Sequence, residues 1–430
     1  MTKSTVSSAD FVKALETGRP PNIKKLFPNS KALIVSGKVI DRAMITKGKA
    51  IVMAANGRNQ FVVRGALRAA QQANAALIIE IAKSEGGTKA YCAVNFWNMA
   101  MQVDAICNEL GITIPVAIHA DHYGIKNDKD LAVAKLEVPT LFEAGMTSIA
   151  IDASHQPDDK NLLANIAINP YIPKWAGLET EVGEIKGEEG LSTVEEAVFL
   201  IQGLNAHDIF PDWIALNNGT THGIELKDSG IQVQLTTDIH KAIEKYKVSG
   251  AQHGTSGNSS ERLRQIAAKT HTTKANVATA LQMISWGVQV NDYGNAILDA
   301  AGNFSKVKGE GVSEEMWAEM VTYAQSKSWK KGDYKNLNLP FENKLLAQPK
   351  EIRDRMVKGV EEFAYKMMTE VLHSQDTASL AIETILKAGS YDPGPKVTRI
   401  EDPAEWTESK IVEKASRLGS SKVPAGKFDD

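Results

Sequence analysis

The sequence has little cysteine, no excess of charge of either sign and no long apolar run. Cys92 and Cys107 are the only cysteines among 430 residues, which excludes a disulfide framework and predicts a reducing compartment. The 49 basic and 52 acidic residues leave a net charge of −3, which gives no general attraction to nucleic acid or to an anionic membrane. The first residues lack the apolar core of a secretory signal, and no apolar run approaches the roughly 20 residues of a membrane span. We therefore expect a cytoplasmic protein without a membrane or nucleic-acid partner.

Short apolar runs rich in strand-forming residues alternate eight times with longer helix-compatible segments, beginning near Lys49. The predicted strands lie near residues 49–55, 75–82, 113–119, 147–152, 177–183, 212–217, 249–253 and 273–278. Each interval has room for one crossover helix, which predicts a parallel sheet. The fold class is therefore α/β, and eight such units favour a (β/α)8 TIM barrel. A doubly wound open sheet is the alternative, although no glycine-rich dinucleotide turn follows the first strand.

Three further segments lie outside the barrel pattern. Residues 1–46 are expected to form a helical lead-in, because a Ser-Ala-Asp cap precedes an apolar stretch that glycine and proline end. The catalytic barrel is assigned to residues 47–293. A helical segment over residues 294–376 is expected to pack on the barrel or on a partner subunit. Residues 377–430 form a C-terminal extension, whose later part is rich in proline, glycine, lysine and aspartate and predicts a wrapped or loose tail.

Histidines and carboxylates follow several of the predicted strands, at the point where each strand ends. In a barrel of this kind all eight strands point their carboxyl ends at one rim, so these residues meet there. Three of the nine histidines fall at this rim, namely His122, His222 and His253. Three histidines, with or without a carboxylate, can hold a catalytic divalent metal and leave a position open for substrate. The sequence therefore predicts a metal site at the carboxyl-terminal rim.

A turn rich in glycine and hydroxyl groups follows the seventh strand and indicates a phosphate site. The turn, residues 253–257, reads His-Gly-Thr-Ser-Gly and leads into a helix that starts near Ser259. Backbone N–H groups and the positive end of the helix dipole are therefore expected to face the rim. Asn276 and Thr279 end the eighth strand beside this turn. The loops after strands seven and eight are the usual phosphate site of the fold.

As a set, these residues resemble the class II, metal-dependent ketose-bisphosphate aldolases, of the fructose- and tagatose-bisphosphate type. The matching motifs are His-x-Asp-His at 119–122, Ile-Asp-x-Ser at 151–154, Glu-x-Glu-x-Gly at 179–183, His-Gly at 222–223, His-Gly-x-Ser-Gly at 253–257 and Asn-Val-Ala-Thr at 276–279. They occur in the family's order and cover roughly residues 49–290. No single motif is specific, but the set is.

The resemblance implies a metal-dependent aldehyde-lyase. It implies reversible retro-aldol cleavage of fructose 1,6-bisphosphate to dihydroxyacetone phosphate and glyceraldehyde 3-phosphate, through an enediolate stabilised by Zn²⁺ or another divalent metal. A second cation, divalent or monovalent, is compatible with the family. The resemblance further implies a homo-dimer or homo-tetramer that binds a small sugar phosphate and serves glycolysis and gluconeogenesis.

The resemblance also implies the metal ligands. His122, His222 and His253 would hold the catalytic metal. Glu181 and Asp152 would serve a second or alternative metal position.

The remaining rim residues are assigned to proton transfer and substrate binding on the same basis. Asp121 would be the acid/base at the C4 hydroxyl, and Glu189, on the loop after the fifth strand, would move the C3 proton. His119 is expected to be a supporting residue rather than a ligand. The dihydroxyacetone-phosphate moiety would be held by Gly223, Gly254, Ser256, Asn276 and Thr279.

The chain departs from the family in ways that keep other substrates and chemistries open. The fructose-bisphosphate branch usually carries aspartate where this chain has Ala278 and Ala280, and Asn-Val-Ala-Thr is closer to the tagatose-bisphosphate branch. No arginine for the distal phosphate is identified. A Schiff-base aldolase would use a lysine at a strand end, for which Lys274 is the candidate. A metal-dependent hydrolase would normally carry His-x-His after the first strand, where this chain reads Ala-Ala-Asn-Gly. A non-catalytic sugar-phosphate binder is the third alternative.

Overall fold

Eight parallel strands close into a barrel in the computed structural model, which describes residues 7–183, 190–220, 230–256, 258–291 and 294–418. The strands are β1 (Val52–Asn56), β2 (Leu77–Ala82), β3 (Val116–Gly124), β4 (Ser148–Asp152), β5 (Gly177–Val182), β6 (Trp213–Leu216), β7 (Ser249–Gln252) and β8 (Thr272–Val277). Each strand pairs with its neighbours in sequence, and β8 returns to pair with β1. The predicted TIM barrel is therefore confirmed, and the open sheet is excluded.

Helices follow the strands on the outside of the barrel and extend the chain at both ends. Up to the end of the barrel they are α1 (Ser8–Gly18), α2 (Pro21–Leu26), α3 (Gly37–Lys47), α4 (Gln60–Ala73), α5 (Lys83–Gly86), α6 (Met99–Leu110), α7 (Asp128–Glu143), α8 (Asp158–Ile168), α9 (Val194–Ala206), α10 (Val233–Ala242), α11 (Ser260–Lys269) and α12 (Thr279–Ser285). Beyond the barrel they are α13 (Glu314–Ser326), α14 (Asn338–Leu346), α15 (Lys350–Lys366), α16 (Thr377–Ala388) and α17 (Glu408–Ser416). Short 3-10 turns lie at Asn169–Tyr171, Glu244–Tyr246, Lys331–Leu337 and Pro403–Glu405, and a π turn at Met367–Val371. None of the helices described is long and apolar enough to cross a membrane.

Side-chain caps fix where several of the barrel helices begin. The side chains of Asn59, Asn127, Thr193 and Ser259 accept hydrogen bonds from backbone N–H groups in the first turns of α4, α7, α9 and α11. At α9 the cap is a capping box, because Glu196 also accepts from the backbone N–H of Thr193. Such caps satisfy N–H groups that have no partner inside the helix. Each of these four helices therefore begins at a residue that its cap defines.

The amino-terminal end of the barrel is filled and covered. Trp213 at the start of β6 is fully buried, and its Nε1 donates to Thr273 Oγ1 at 2.8 Å. Apolar residues of α1, α3 and α16 pack beneath this tryptophan in one cluster with the barrel floor. Burial of this apolar surface stabilises the fold and covers this end of the barrel with the residues of that cluster. The cavity that reaches into the barrel is lined by residues at the carboxyl-terminal ends of the strands.

The chain beyond the barrel packs back onto it. Helix α15 lies against α4 through buried Val357, Val360 and Ala364. The described residues of the segment 286–346 form an apolar cluster with α15 and with Phe61 and Met283, and it contains the buried rings of Trp286 and Phe341. The described part of the C-terminal extension, up to residue 418, is held on the barrel, since Trp406 is buried and its ring lies 5.5 Å from that of Phe199.

Candidate active site at the carboxyl-terminal rim

A bulge in β3 brings two consecutive residues, Asp121 and His122, to the rim. Ala120 pairs with Ile149 of β4 and Tyr123 pairs with Ile151, so β3 carries one more residue than β4 between these pairs. His122 takes a positive φ of 43°, which is uncommon for a residue with a side chain. In a regular strand, neighbouring side chains point to opposite faces. The bulge removes that alternation, and both side chains are buried and reach the same cavity.

The two described histidines of the predicted metal set face each other. His122 Nε2 lies 2.7 Å from His253 Nδ1, and the two rings are nearly perpendicular, with centroids 4.3 Å apart. The outer nitrogens are held by carboxylates: His253 Nε2 lies 2.7 Å from Glu179 Oε1, and His122 Nδ1 lies 3.0 Å from Glu181 Oε1. Imidazoles that ligate metals typically have their second nitrogen bound to a carboxylate or carbonyl in this way. The donor set therefore fits a divalent metal at the inner nitrogens.

Asp152 and Glu181 lie behind His122, and their two carboxylates are close to each other there. Asp152 Oδ2 is 3.4 Å from His122 Nδ1, and its other oxygen accepts from Ser154 Oγ at 2.6 Å. Burial, and then the charge of Asp152, raises the pKa of Glu181 to about 7 despite the neighbouring histidines. These two carboxylates and His122 offer ligand atoms within 4.8 Å of one another. The group can therefore either orient His122 or hold a cation itself.

Asp121 is fixed by an amide and a lysine of β8. Asn276 Nδ2 donates to both carboxylate oxygens of Asp121 at 3.0 Å, and Lys274 Nζ lies 3.5 Å from Oδ1. Burial alone would raise the pKa of Asp121, but the positive charges of Lys274 and His122 outweigh it and lower that pKa below its usual value. The aspartate is therefore held as a carboxylate in one orientation, beside the inner nitrogens of the two histidines.

Beneath the rim lies a buried charge cluster that the sequence analysis did not predict as part of the site. Lys274 is fully buried, with its Nζ 2.9 Å from Glu179 Oε2 and 3.1 Å from Glu80 Oε2. Burial lowers the pKa of a lysine, but Glu179, Glu80 and Asp121 outweigh that effect and raise the pKa of Lys274. The available signal was the charged residues inside three buried strands: Glu80 in β2, Glu179 and Glu181 in β5, and Lys274 in β8.

His119 belongs to the same buried layer. Its Nδ1 lies 2.7 Å from Ser148 Oγ, and its Nε2 lies 3.5 Å from Glu179 Oε2 and 3.7 Å from Asp121 Oδ1. Burial lowers the pKa of His119 to about 3, so the ring is neutral. It is placed to support the carboxylates, as expected from the sequence. A ring nitrogen of His119 also forms a group of possible metal ligands with Glu80 and Asp121.

The predicted phosphate turn opens on the same cavity as Asp121 and His122. Gly254 has a φ of +60°, which favours glycine there, and the next residues lead into α11. Asn258 Nδ2 donates to the Gly254 carbonyl at 2.9 Å and closes the turn. Of the predicted phosphate residues, those that line the cavity are Gly254, Ser256, Asn276 and Thr279. The structure therefore brings together every predicted site residue that it describes. Three predicted residues, Glu189, His222 and Gly223, lie outside the described residues.

The cavity is a cleft of about 940 Å³ that extends well beyond the barrel. Its inner end is formed by Glu80, Asp121 and His122, and its outer end by residues 325–335, which follow from α13. Arg58, after β1, also lines the cleft. Its guanidinium is paired with Glu85, which also accepts from Asn56 Nδ2.

A family model described as "Fructose-bisphosphate aldolase class-II" matches residues 38–374. A fructose-bisphosphate aldolase of Streptococcus pneumoniae (serotype 4, strain TIGR4) is 30% identical over 242 residues, which cover 53% of this chain and 73% of that protein. A fructose-bisphosphate aldolase of Staphylococcus aureus (strain Mu50) is 33% identical over 135 residues, which cover 31% of this chain and only 43% of that protein.

Solved structures support the same fold. The YdjI aldolase from Escherichia coli K12 superposes with a TM-score of 0.54 at 17% identity, covering 80% of this chain and 99% of that one. A fructose-bisphosphate aldolase (Fba) from Campylobacter jejuni superposes with a TM-score of 0.52 at 17% identity, covering 80% of this chain and 97% of that one. At these identities the likeness concerns the fold alone.

Proposed function

Because the chain belongs to the class-II fructose-bisphosphate aldolase family, we propose that it catalyses reversible retro-aldol cleavage of fructose 1,6-bisphosphate to dihydroxyacetone phosphate and glyceraldehyde 3-phosphate. The observation that carries the proposal is the meeting of Asp121 with the facing pair His122 and His253 at the inner end of one cleft. Retro-aldol cleavage requires a base for a hydroxyl proton and a positive centre for the charge left on the ketone half. This arrangement supplies a place for both.

A divalent cation, Zn²⁺ or another, would be held by the inner nitrogens of His122 and His253. His222, which lies outside the described residues, is proposed as the third ligand. When bound, such an ion polarises the ketone and stabilises the negative charge that develops on it. Glu181 and Asp152 are proposed for a second or alternative cation position, since with His122 they form a group of suitable ligand atoms.

Asp121 is proposed to take the proton from the C4 hydroxyl as the bond between C3 and C4 breaks. Asn276 holds both of its oxygens, and Lys274 keeps its pKa low, so the carboxylate is ready to act as a base. In the direction of synthesis the same carboxyl group returns the proton. Glu189, also outside the described residues, is proposed to move the C3 proton.

The glycine-rich turn after β7 is proposed to hold the phosphate of the dihydroxyacetone-phosphate half. Gly254 and Ser256 line the cleft directly before α11, and Asn276 and Thr279 face them from β8 and the start of α12. Backbone N–H groups in such a turn bind phosphate oxygens. Gly223 is proposed as a further contact. Held in this way, the substrate would direct its ketone towards the histidine pair and its C4 hydroxyl towards Asp121.

Tagatose 1,6-bisphosphate is the second candidate substrate. Ala278, which stands where the fructose-bisphosphate branch usually has aspartate, lines the cleft next to Asn276. An alanine there removes a polar contact that could distinguish the two sugars, which differ in the configuration of one hydroxyl group.

The competing chemistries find less support in the structure. A Schiff base needs a neutral lysine, whereas Lys274 is enclosed by three carboxylates that keep it protonated. A hydrolase of this fold would place histidines at the end of β1, where the chain has Asn56 and Gly57. A protein that only binds sugar phosphates has no use for the oriented carboxylate of Asp121.

Several wider expectations form part of the proposal. We propose that the enzyme works in the cytoplasm in glycolysis and gluconeogenesis, on small sugar phosphates, as a homo-dimer or homo-tetramer. The division into a lead-in over 1–46, a barrel over 47–293, a helical segment over 294–376 and an extension over 377–430 is proposed with it.

The test is a substrate panel with the metal-loaded enzyme. Cleavage of fructose 1,6-bisphosphate and of tagatose 1,6-bisphosphate is followed by a coupled assay for triose phosphate. The proposal expects turnover of the fructose substrate at an equal or higher kcat/KM than the tagatose substrate. Turnover of tagatose bisphosphate alone would move the assignment to the second candidate, and turnover of neither would contradict both.

A further inference from the structure

The outer end of the active-site cleft has a wall made by residues 325–335, which we call the outer wall. It consists of the end of α13, a short connection and the 3-10 turn Lys331–Leu337. The residues that it turns towards the cleft include Gln325, Trp329, Lys330, Lys331, Tyr334 and Lys335. Nothing in the proposed catalytic step uses them. Because the glycine-rich turn is proposed to hold the phosphate of the dihydroxyacetone-phosphate half, the outer wall is the part of the cleft left for the aldehyde half of the substrate.

Aromatic packing fixes the outer wall from behind. The Tyr334 ring lies 5.1 Å from that of Phe304 and 6.3 Å from that of Trp317. The Trp329 ring lies 5.7 Å from that of Tyr323 in an edge-to-face arrangement. Such pairs add to the stabilisation from burial and restrict the side chains to one geometry. The lysines between these aromatics therefore start from a fixed backbone.

Hydrogen bonds connect the outer wall to the barrel rim. Asn338 Nδ2 donates to the Lys335 carbonyl at 2.8 Å and to Gln282 Oε1 at 2.9 Å. Gln282 lies on α12, one turn after Thr279, and itself lines the cleft. The backbone N–H of Leu339 donates to the Tyr91 carbonyl at 2.9 Å. Because one network joins the wall to the rim, the distance between the wall and the catalytic residues is set by the fold.

The outer wall is positively charged in a protein that is not. Residues 327–335 contain four lysines and one aspartate, in a chain with a net charge of −3. The carboxylate of Asp333 accepts from the backbone N–H of Lys330 at 2.8 Å. Within the part of the chain that the structure describes, neither Lys330 nor Lys331 forms an ion pair. Their charges are therefore available to a ligand in the cleft.

The arginine that lines the cleft is already engaged. Arg58 Nη2 lies 2.6 Å from Glu85 Oε1, its Nε donates to the same oxygen at 2.7 Å, and its Nη1 donates to Gln282 Oε1 at 3.1 Å. Because the charge of this guanidinium is already balanced by a buried carboxylate, it attracts a substrate anion only weakly. Among the described residues that line the cleft, the lysines of the outer wall are the better candidates.

We propose that Lys330 and Lys331 bind a terminal anionic group on the aldehyde half of the substrate, and that they recognise it by charge rather than by shape. The inference rests on the proposed aldolase function and assigns its distal specificity to the outer wall. A lysine ammonium is a flexible point charge, whereas an arginine presents a rigid fork that matches the geometry of a phosphate or carboxylate. The two lysines should therefore favour aldehydes with either a terminal phosphate or a terminal carboxylate over neutral aldehydes.

The experiment is aldol addition by the metal-loaded full-length enzyme, with dihydroxyacetone phosphate as the constant donor. The acceptors are glyceraldehyde 3-phosphate, 4-oxobutanoate and neutral glyceraldehyde. The variants are the double substitution Lys330→Ala with Lys331→Ala, and Lys327→Ala as a matched control. Lys327 belongs to the same segment, but its Nζ lies over the Tyr323 ring, 5.5 Å from the centroid, outside the lining of the cleft.

We expect the double variant to lose roughly 10- to 100-fold in kcat/KM with each anionic acceptor, the range for lost hydrogen bonds to charged groups, and to keep its activity with glyceraldehyde. The control should behave as wild type. Added salt should raise the KM of wild type for the anionic acceptors only, because it screens the lysines. A loss with the phosphate acceptor alone would overturn recognition by charge.

An unchanged preference in the double variant, or an equal loss with all three acceptors, would overturn the assignment of the lysines. Thermal melting of each variant tells such a general loss from unfolding. Absence of addition with every acceptor in metal-loaded wild type would instead overturn the proposed function, and the lysine assignment would fall with it.

Discussion

The two ends of the barrel each hold a buried group of charges, but only the one at the amino-terminal end is balanced. There, Asp41 and Asp212 meet Arg42 and Lys396. Arg42 Nη1 lies 2.7 Å from Asp41 and 2.8 Å from Asp212, and Lys396 Nζ donates to Asp41 at 2.8 Å. Two carboxylates face two cations, and Thr273 Oγ1 and the backbone N–H of Leu178 satisfy the remaining oxygens.

The group at the carboxyl-terminal rim has an excess of carboxylates. The carboxylates within it are Glu80, Asp121, Asp152, Glu179 and Glu181, against Lys274 and four histidines, of which His155 contacts Asp152 at 3.9 Å. Glu80 Oε1 has no hydrogen-bond donor among the described residues, and burial raises the pKa of Glu80 well above its usual value. The difference separates a group that holds the fold together from one that has room for a cation and a substrate.

Asp121→Ala should have the largest effect on turnover. We expect kcat for cleavage of fructose 1,6-bisphosphate to fall about 10²- to 10⁴-fold, the usual contribution of a general acid or base, while bound metal is retained. A coupled triose-phosphate assay measures the first and elemental analysis the second. Full activity of this variant would show that Asp121 is not the acid/base.

Asp41→Asn should have the largest effect on stability. It removes the carboxylate between two buried cations, so we expect the free energy of unfolding to fall by about 3–5 kcal/mol. Urea unfolding followed by circular dichroism measures the change. At a temperature where the variant is folded, kcat should equal that of wild type. A large loss of kcat without a loss of stability would mean that the amino-terminal end is not purely structural.

Glu179→Gln should weaken metal binding without abolishing it. Glu179 orients His253 from behind, and the loss of such a partner typically costs 10- to 100-fold in metal affinity, or about 1.4–2.7 kcal/mol. Competition with a chromophoric chelator gives the affinity. His253→Ala, which removes a proposed ligand, serves as the reference and should release the metal altogether. Equal affinity in Glu179→Gln and wild type would contradict the proposed role of Glu179 in orienting His253.

The smallest expected effect is a dependence on pH at the amino-terminal end. Burial would raise the pKa of Asp41, but Lys396 and Arg42 outweigh it, so its folded pKa is lowered. Its contribution to stability is therefore present above its unfolded pKa of about 3.9 and is lost as the pH falls through the folded value. The difference in unfolding free energy between wild type and Asp41→Asn should be constant from about pH 5 to 7 and shrink in more acidic solution. A difference that grows on acidification would have the wrong sign.

The barrel and the meeting of its strand ends could be predicted from the sequence, because both follow from simple periodicity. Apolar runs that end in histidine or carboxylate mark the carboxyl ends of parallel strands, and closure of the barrel brings these ends to one rim. This is why His253 could be grouped with Asp121 and His122 although it is far from them in sequence. The glycine-rich turn after β7 could be predicted as part of the site because it too follows the carboxyl end of a predicted strand.

The features that were missed depend on contacts between distant segments. The bulge at Ala120–Tyr123 leaves no mark in the hydrophobic pattern, so regular alternation would have placed Asp121 and His122 on opposite faces. In the sequence, Lys274 lies early in its predicted strand, and nothing there indicates that Glu80 and Glu179 pack beside it.

The outer wall was missed for a related reason. Helix α13 turns its buried residues Met320 and Ala324 towards a local cluster, and the connection after it has no periodicity. Only the folded chain shows that Lys330 and Lys331 reach the cleft that Asp121 occupies.

The most direct test of the account is to ask whether wild-type cleavage of fructose 1,6-bisphosphate depends on metal or on a lysine. The enzyme is assayed before chelation with EDTA, after chelation, and after Zn²⁺ is returned, with parallel borohydride treatment in the presence of substrate. We predict that chelation abolishes cleavage, that Zn²⁺ restores it, and that borohydride traps no covalent adduct on Lys274. Cleavage that survives chelation, together with a trapped adduct, would contradict the account.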